Sequence, residues 1–211
     1  MYYAIIGDIR NSRKLKDRAN VQHTLINAVN HINQTYKKDI IKPMAIMQGD
    51  DFQVLLKNAK HIFDIIHDVM IYLENVDVRF GIGVGTLAFN HDNGSSDGPV
   101  WWHARDALDV LKKNKKYKML IHIEGIKEQT KSLINQLLMN ISLMHDMWTN
   151  SQKSFIYQMI KIYGLTDQFL QKEVSKTLQI STSTMSEKLK STHYYEYIKN
   201  IKIVIETIEE G

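Results

Sequence analysis

The stretch VDVRFGIGVGTL, residues 76–87, contains the clearest strand signal in the chain. Apolar side chains alternate along it with three glycines and an arginine. The apolar positions are Val78, Phe80, Ile82 and Val84, and the alternate positions are Arg79, Gly81, Gly83 and Gly85. Because successive side chains of a strand point to opposite faces, one face is apolar and the other is nearly bare. The bare face predicts a bulge or the close approach of a packed helix or a ligand.

The segments on either side of this strand complete an alternating pattern. Before it come a strand at 2–7, a helix around 25–36, strands at 41–48 and 52–56 joined by a tight turn, and a helix at 62–73. After it come a helix that starts near Pro99 and a strand at 119–123. The order β-α-β-β-α-β-α-β predicts an α+β fold with a ferredoxin-like, palm-type antiparallel sheet, extended by one helix and one strand.

Beyond residue 125 the pattern becomes entirely helical. Apolar residues recur every three or four positions on one face, at Leu133, Leu137, Ile141, Met144 and Trp148, and four shorter helical segments follow. We predict a palm-like domain at 1–125, a connector helix at 126–148 and an all-α helix-turn-helix domain at 149–211. The connector either packs back on the sheet or mediates homodimer formation.

Composition limits the classes of function. The chain has no cysteine, which excludes disulfides and thiolate metal sites. No apolar run is long enough for a membrane helix, and the opening MYYAIIGDIR lacks a basic leader, so we expect a cytoplasmic protein with no membrane partner. The formal net charge is +4, a weak indication of a nucleic-acid partner. All five arginines precede residue 106, which favours phosphate chemistry in the palm-like domain.

Three acidic residues follow predicted strands. Asp8 ends the first strand, and Asp50 and Asp51 lie in the hairpin turn. In a ferredoxin-like sheet the first strand runs beside the hairpin, so these carboxylates are expected to converge. Oxygen ligands on rigid strands suit Mg²⁺ or Mn²⁺ in phosphoryl or nucleotidyl transfer. The alternative is an ordinary acidic turn without a function.

Basic groups accompany these acids. The candidate residues for binding a phosphate or a nucleotide are Arg10, Ser12, Arg13, Arg79 and Arg105. The first three lie in a loop before a helix N-terminus, where backbone N–H groups can hold an anion, although a solvated loop is the plainer interpretation. The run KKNKKYK, residues 112–118, is typical of a helix end whose cations complement the helix dipole.

Residues 168–190, QFLQKEVSKTLQISTSTMSEKLK, predict two short helices joined by a turn at Gln179. The pattern resembles the helix-turn-helix in the last region of sigma factors. The candidate DNA-binding residues cap or lie on the second helix and are Ser181, Thr182, Ser183, Thr184, Ser186, Lys188 and Lys190. The near-neutral charge of this part and its lack of arginine instead favour a helical hairpin used for packing or dimerisation.

Four motifs in combination carry a family resemblance. They are GDIRNSRKL (7–15), QGDDFQVLL (48–56), RFGIGVG (79–85) and DGPVWWHARDAL (97–108). Together they resemble the SatD family, whose chains also continue into a helical tail. More distantly they resemble adenylate/guanylate cyclases and GGDEF diguanylate cyclases, which place one Asp at the end of the first strand and a second acid in the hairpin.

The cyclase resemblance implies roles for several residues. Asp8 and Asp50 match the two acids, and Asp51 stands where GGDEF proteins have Glu. A cyclase helix with the pattern V-N-x-A-A-R brings an Asn and an Arg to the triphosphate; residues 100–105, VWWHAR, keep Arg105 but have Trp101 in place of the Asn. Gln48 replaces the first Gly of GGDEF.

Three hypotheses follow. The first is a regulator in which a degenerate palm binds a nucleotide and a metal and is coupled to a DNA-binding module. The second is a metal-dependent nucleotidyl or phosphoryl transferase, and the third is an interaction protein with neither activity. Trp101 and Gln48 favour the first hypothesis over the second, because binding survives such losses better than turnover does. The low basicity of the helical tail favours the third over the first.

Overall fold

The computed structural model describes residues 1–47, 49–74, 76–91, 96–114 and 117–210. Its strands and helices follow the predicted alternation. In the β-sheet region they are β1 (Tyr2–Ile9), α1 (Arg18–Thr35), β2 (Ile40–Ile46), β3 (Phe52–Leu56), α2 (Ile62–Tyr72), β4 (Val78–Gly85), β5 (Phe89–Asn90), β6 (Ser96–Asp97), α3 (Pro99–Lys113) and β7 (Met119–Ile123). In the helical region they are α4 (Glu128–Met147), α5 (Asn150–Tyr163), α6 (Gln171–Thr177), α7 (Thr182–Ser191) and α8 (Tyr194–Glu210).

The main sheet has five strands in the order β2-β3-β1-β4-β7. The first four strands pair antiparallel, whereas β4 and β7 pair parallel. The expectation of an antiparallel sheet is therefore wrong at one edge, and the sheet is mixed. The reason is that α3 connects β4 to β7 as a crossover, which returns the chain to the same end of the sheet. The small β5–β6 ribbon was not predicted.

The glycines of β4 face α3. A Cβ atom added to Gly81 would lie 2.3 Å from the Ala104 carbonyl oxygen, and one added to Gly83 would lie 2.1 Å from the Val100 carbonyl oxygen. The bare face of β4 is thus filled by a helix backbone, which confirms the helix interpretation over a ligand at this strand. The close contact fixes the position of α3 on the sheet.

The helices divide between the two faces of the sheet. Side chains of α1 and α2 pack with Tyr3 and Ile5 on one face, while α3 packs with Ala4 and Ile6 on the other. On this second face α3 contacts β4, β7 and β1. Ala45 of β2, which pairs with Gln53 of β3, is exposed. The hairpin half of this face is therefore accessible beside α3.

The helix α4 packs back on the sheet region, against β7, and also contacts α8. Its inward side chains include Ile134, Leu138 and Ile141. Leu133, on the face expected to be apolar and buried, is 68% exposed. Buried side chains from the sheet region and from α4, α5 and α8 form one hydrophobic cluster. The division into parts at residues 125 and 148 stays a prediction.

The chain is thus α+β, with a mixed five-stranded sheet and, over the residues described, eight α-helices. Within those same residues, no helix combines the length and apolar character needed to cross a membrane.

Candidate functional site

Asp8 lies at the end of β1 in a buried ion pair. Its residue is 5% exposed, and β1 pairs with β4 so that Asp8 is opposite Arg79. The Arg79 guanidinium donates from Nε to Asp8 Oδ1 at 2.8 Å and from Nη2 to Asp8 Oδ2 at 2.5 Å. Such a bidentate pair is strong and geometrically specific. Both oxygens of Asp8 are therefore bound by an arginine.

Asp51 lies beside Asp8 because β1 and β3 pair with Gly7 opposite Phe52. The Lys112 Nζ atom is 3.8 Å from Asp8 Oδ2 and 3.9 Å from Asp51 Oδ2. The Arg105 Nη1 atom is 3.6 Å from Asp51 Oδ2. We call Asp8, Asp51, Arg79, Arg105 and Lys112 the ionic cluster. Asp8 and Asp51 thus converge as expected, and they do so around an ammonium group.

The pKa of Asp51 depends on its burial and on the charges around it. Burial raises the pKa of Asp51 above its usual value, and Lys112 opposes that shift. The negative charges of Asp8 and Asp50 also raise this pKa, while Arg105 lowers it. Asp50 itself is half-buried in the hairpin turn. Asp50 therefore acts on the cluster through its charge.

A cleft of about 480 Å³ adjoins the ionic cluster between α3 and the hairpin half of the sheet. It is lined by Ile6, Gln53, Ser96, Asp97, Trp101, Trp102, Arg105 and Asp106. The Trp101 Nε1 group donates to Ser96 Oγ at 3.0 Å, and the Trp102 Nε1 group donates to Asp97 Oδ1 at 2.8 Å. Trp102 is nevertheless 53% exposed. The cleft thus combines an accessible indole with a guanidinium.

Arg105 belongs to both the ionic cluster and the cleft. It lies on α3 between Trp101 and Lys112, which is seven residues and about two helical turns further on. Two turns return a side chain to the same face of a helix, so Arg105 and Lys112 both point toward the end of β1 and the hairpin turn. A ligand in the cleft would meet aromatic surface near Trp102 and positive charge at Arg105.

The other predicted phosphate residues lie apart from this arrangement. Arg10 makes an ion pair with Asp77, with Nη1 to Oδ2 at 3.5 Å, and donates to the Tyr117 carbonyl oxygen. Ser12 is buried, and Arg13 is exposed in a single 3-10 turn. The helix α1 begins only at Arg18. The described contacts therefore join Arg79 and Arg105, but not Arg10, to the ionic cluster.

The predicted DNA-binding segment consists of α6, a turn and α7. Gln179 adopts a left-handed backbone conformation with φ of 54°, and the Ser181 hydroxyl caps α7 by accepting from the Thr184 N–H at 3.0 Å. The residues Ser181, Thr182, Ser183, Ser186 and Lys190 are exposed, and Thr184 and Lys188 are half-buried. The Lys188 Nζ atom lies 5.5 Å from the centre of the Phe155 ring, so this side chain packs on α5.

Sequence reasoning assigned Lys112 only to the helix dipole and missed its place between the carboxylates. Its spacing of two turns from Arg105 was the signal in the sequence that could have placed it there.

Gln48, which was expected to crowd the site, lies outside the described residues. Among the residues that are described, no three acidic or histidine side chains converge to hold a metal ion. Metal binding by Asp8, Asp50 and Asp51 stays a prediction.

Comparison with known proteins places the chain in a family. No curated protein is significantly similar to it. A model described as the SatD family matches residues 2–208, nearly the whole chain, and this confirms the resemblance of the four motifs to that family. The chain therefore belongs to the SatD family.

Proposed function

We propose that this SatD-family protein is a cytoplasmic regulator whose cleft binds a phosphate-bearing aromatic ligand, such as a nucleotide, and whose α6–α7 segment contacts DNA. The observation that carries the proposal is the position of Arg105. Its guanidinium lines the cleft beside Trp102 and also lies 3.6 Å from Asp51 in the ionic cluster. A planar guanidinium suits bidentate contact with phosphate, and an exposed indole suits stacking with a base.

The topology supports a palm-like interpretation of the sheet region. The order β2-β3-β1-β4, with helices between β1 and β2 and between β3 and β4, is that of a ferredoxin-like fold. In the cyclases that this region resembles, a helix matching α3 brings an Arg to the triphosphate. Arg105, which matches that Arg, lines the cleft.

The binding role is favoured over the transferase alternative by Trp101. This residue stands where the cyclase helix has its Asn, and its indole is buried and hydrogen-bonded to Ser96. An indole N–H can only donate, and here it already has an acceptor. The Trp101 indole therefore cannot replace an Asn amide, which both donates and accepts hydrogen bonds, at a reacting phosphate.

The helical region supports the DNA-binding half of the proposal through its turn. A left-handed residue at Gln179 and a serine cap at Ser181 join α6 to α7 within four residues. The exposed hydroxyls of Thr182, Ser183 and Ser186 are groups that bind phosphates and base edges. Lys190 adds a cation at the end of α7.

Calorimetry with purine nucleotides tests the ligand half. We expect wild-type protein to bind a nucleotide, and Arg105→Ala to weaken binding about 10- to 100-fold because a charge-assisted contact is lost. Arg18→Ala is the matched control, since Arg18 is exposed at the start of α1 and away from the cleft. Equal affinities for the two variants, or no nucleotide binding by the wild type, would contradict the proposal. Rapid formation of a cyclic product would instead support the transferase alternative.

A further inference from the structure

Lys112 is placed between two carboxylates that were expected to share a metal ion. Its Nζ atom is 3.8 Å from Asp8 Oδ2 and 3.9 Å from Asp51 Oδ2, nearly the same distance from each. Both distances exceed hydrogen-bond length, so the attraction is mainly one of charge. An ion bridging these two oxygens would have to lie close to the ammonium group.

The charges of the cluster do not suit a divalent ion. Asp8 and Asp51 face the cations Arg79, Arg105 and Lys112. When the half-buried carboxylate of Asp50 is counted as well, the formal charges of the group sum to zero. Mg²⁺ sites normally offer uncompensated carboxylates, whereas here Asp8 already accepts two hydrogen bonds from Arg79. A metal ion would meet electrostatic repulsion from Lys112 and would compete with Arg79 for the same oxygens.

The position of Lys112 is set by the packing of α3. Leu108 lies one turn before Lys112 and is completely buried. At Gly81 an added Cβ would be 2.6 Å from the Leu108 backbone nitrogen, so the helix lies directly on the strand. The backbone of α3 at Lys112 is therefore held on the sheet, and the partly exposed lysine side chain reaches the two carboxylates from there.

We propose that Lys112 is a built-in cation that replaces a divalent metal between Asp8 and Asp51, so that the cleft binds its phosphate-bearing ligand without Mg²⁺ or Mn²⁺. The inference rests on the proposed function for the nature of the ligand. The Lys112 ammonium and the Arg105 guanidinium supply the positive charge that a metal ion supplies in metal-dependent nucleotide sites. The N–H groups of Lys112 can donate to a phosphate while the carboxylates hold the ammonium in place.

The first test uses Mn²⁺ alone and does not depend on any nucleotide. Electron paramagnetic resonance titration measures free Mn²⁺ against wild type, Lys112→Gln and Lys113→Gln. Gln keeps most of the length of the side chain but removes the charge, and Lys113 is an exposed neighbour on α3. We expect wild type and Lys113→Gln to leave Mn²⁺ free at millimolar concentration and Lys112→Gln to gain binding. Tight Mn²⁺ binding by wild-type protein would overturn the inference, as would equal behaviour of Lys112→Gln and wild type with both folded by circular dichroism.

The second test compares nucleotide affinity in EDTA and in Mg²⁺. We expect wild-type affinity to agree within about twofold in the two buffers. We expect Lys112→Gln to lose about tenfold in EDTA and to recover part of that loss in Mg²⁺. Wild-type binding that disappears in EDTA would overturn the inference and leave the proposed function standing. Absence of nucleotide binding in both buffers would contradict the proposed function, and the Mn²⁺ titration would still decide the role of Lys112.

Discussion

The Nε2 atom of His67 in α2 lies 2.8 Å from the hydroxyl oxygen of Tyr197 in α8, and the pair joins the sheet region to the helical region. The Nδ1 atom of His67 lies 2.6 Å from the Phe63 carbonyl oxygen, which can only accept. Nδ1 therefore carries the proton, and Nε2 accepts from the Tyr197 hydroxyl. Both side chains are buried, so burial lowers the pKa of His67 to about 4 and raises the pKa of Tyr197 well above its usual value.

The His67 contact predicts a loss of stability in mild acid. The folded-state pKa of about 4 lies below the ordinary value of 6.5. As the pH falls from 6.5 toward 4, the unfolded chain binds a proton that the folded protein does not, which destabilises folding by at most about 1.4 kcal/mol per pH unit. His145, whose pKa burial also lowers, acts in the same direction.

Urea unfolding at pH 7 and pH 5 measures this effect. We expect His67→Gln to show a smaller difference in unfolding free energy between the two pH values, because an amide does not titrate in this range. The amide can still donate to the Phe63 carbonyl oxygen and accept from the Tyr197 hydroxyl, so the variant should fold. His23→Gln, at an exposed position of α1, should keep the wild-type difference. Identical pH dependence in all three proteins would show that His67 does not titrate as inferred.

The close contact of β4 with α3 predicts that a methyl group added to a glycine of β4 lowers the stability of the protein. Gly83→Ala would bring a Cβ atom within 2.1 Å of a backbone oxygen, and should lower the unfolding free energy by about 1–3 kcal/mol. Gly85→Ala is the graded control, because the nearest atoms there are 3.0 Å away. Thermal unfolding followed by circular dichroism compares the two variants. A larger loss at Gly85 than at Gly83 would contradict the packing described for α3.

The buried pair of Asp8 and Arg79 predicts unequal effects of two Asp→Asn changes. Asp8→Asn leaves the largely buried Arg79 guanidinium without its carboxylate and should destabilise the protein by about 3–5 kcal/mol. Asp51→Asn affects a more exposed group held by longer ion pairs and should cost less than about 1 kcal/mol. Urea unfolding at pH 7 measures both. Similar losses would indicate that Asp8 is not the structural member of the cluster.

The α6–α7 segment predicts salt-dependent retention on DNA that depends on Lys190. Lys190→Ala should weaken binding at all sequences and reduce the slope of log K against log salt by about 0.9 for one lost phosphate contact. Lys199→Ala, an exposed lysine of α8, is the matched control. Lys188→Ala is also expected to weaken binding, but it removes the packing on Phe155 as well. Fluorescence anisotropy across a salt series provides the measurement, and an unchanged slope for Lys190→Ala would contradict the contact.

Periodicity alone predicted most of the strands and helices, but on α4 it selected the more exposed of two apolar stripes. Leu133 and Leu137 form one stripe with Ile141, and Ile134 and Leu138 form an adjacent one with the same residue. The partners of the helix decide which stripe is buried; they are β7, which directly precedes it, and α8, which lies far along the sequence. The structure buries the second.

The candidate site was likewise only partly predictable from the sequence. The convergence of Asp8 with the hairpin acids follows from strand order, which the alternation of elements predicts. The ammonium between them could not be deduced from charge alone, because a lysine near a helix C-terminus already has a sufficient reason in the helix dipole. Lys112 reaches the carboxylates because α3 lies close to β4. Two glycines of β4 allow this close approach, and the local helix propensity of α3 does not reveal it.

The central place of β1 has a consequence for the time the chain needs to fold. This strand pairs with β3 on one side and β4 on the other, and both partners lie far along the sequence. Among the described strands of the main sheet, only β2 and β3 pair across a short turn. The rest of this sheet forms only when long loops close, which slows folding. Until then β1 offers the apolar run YYAIIG with both edges unpaired. The segment most exposed to aggregation in a nascent or refolding chain is therefore the one that later carries Asp8 at its end.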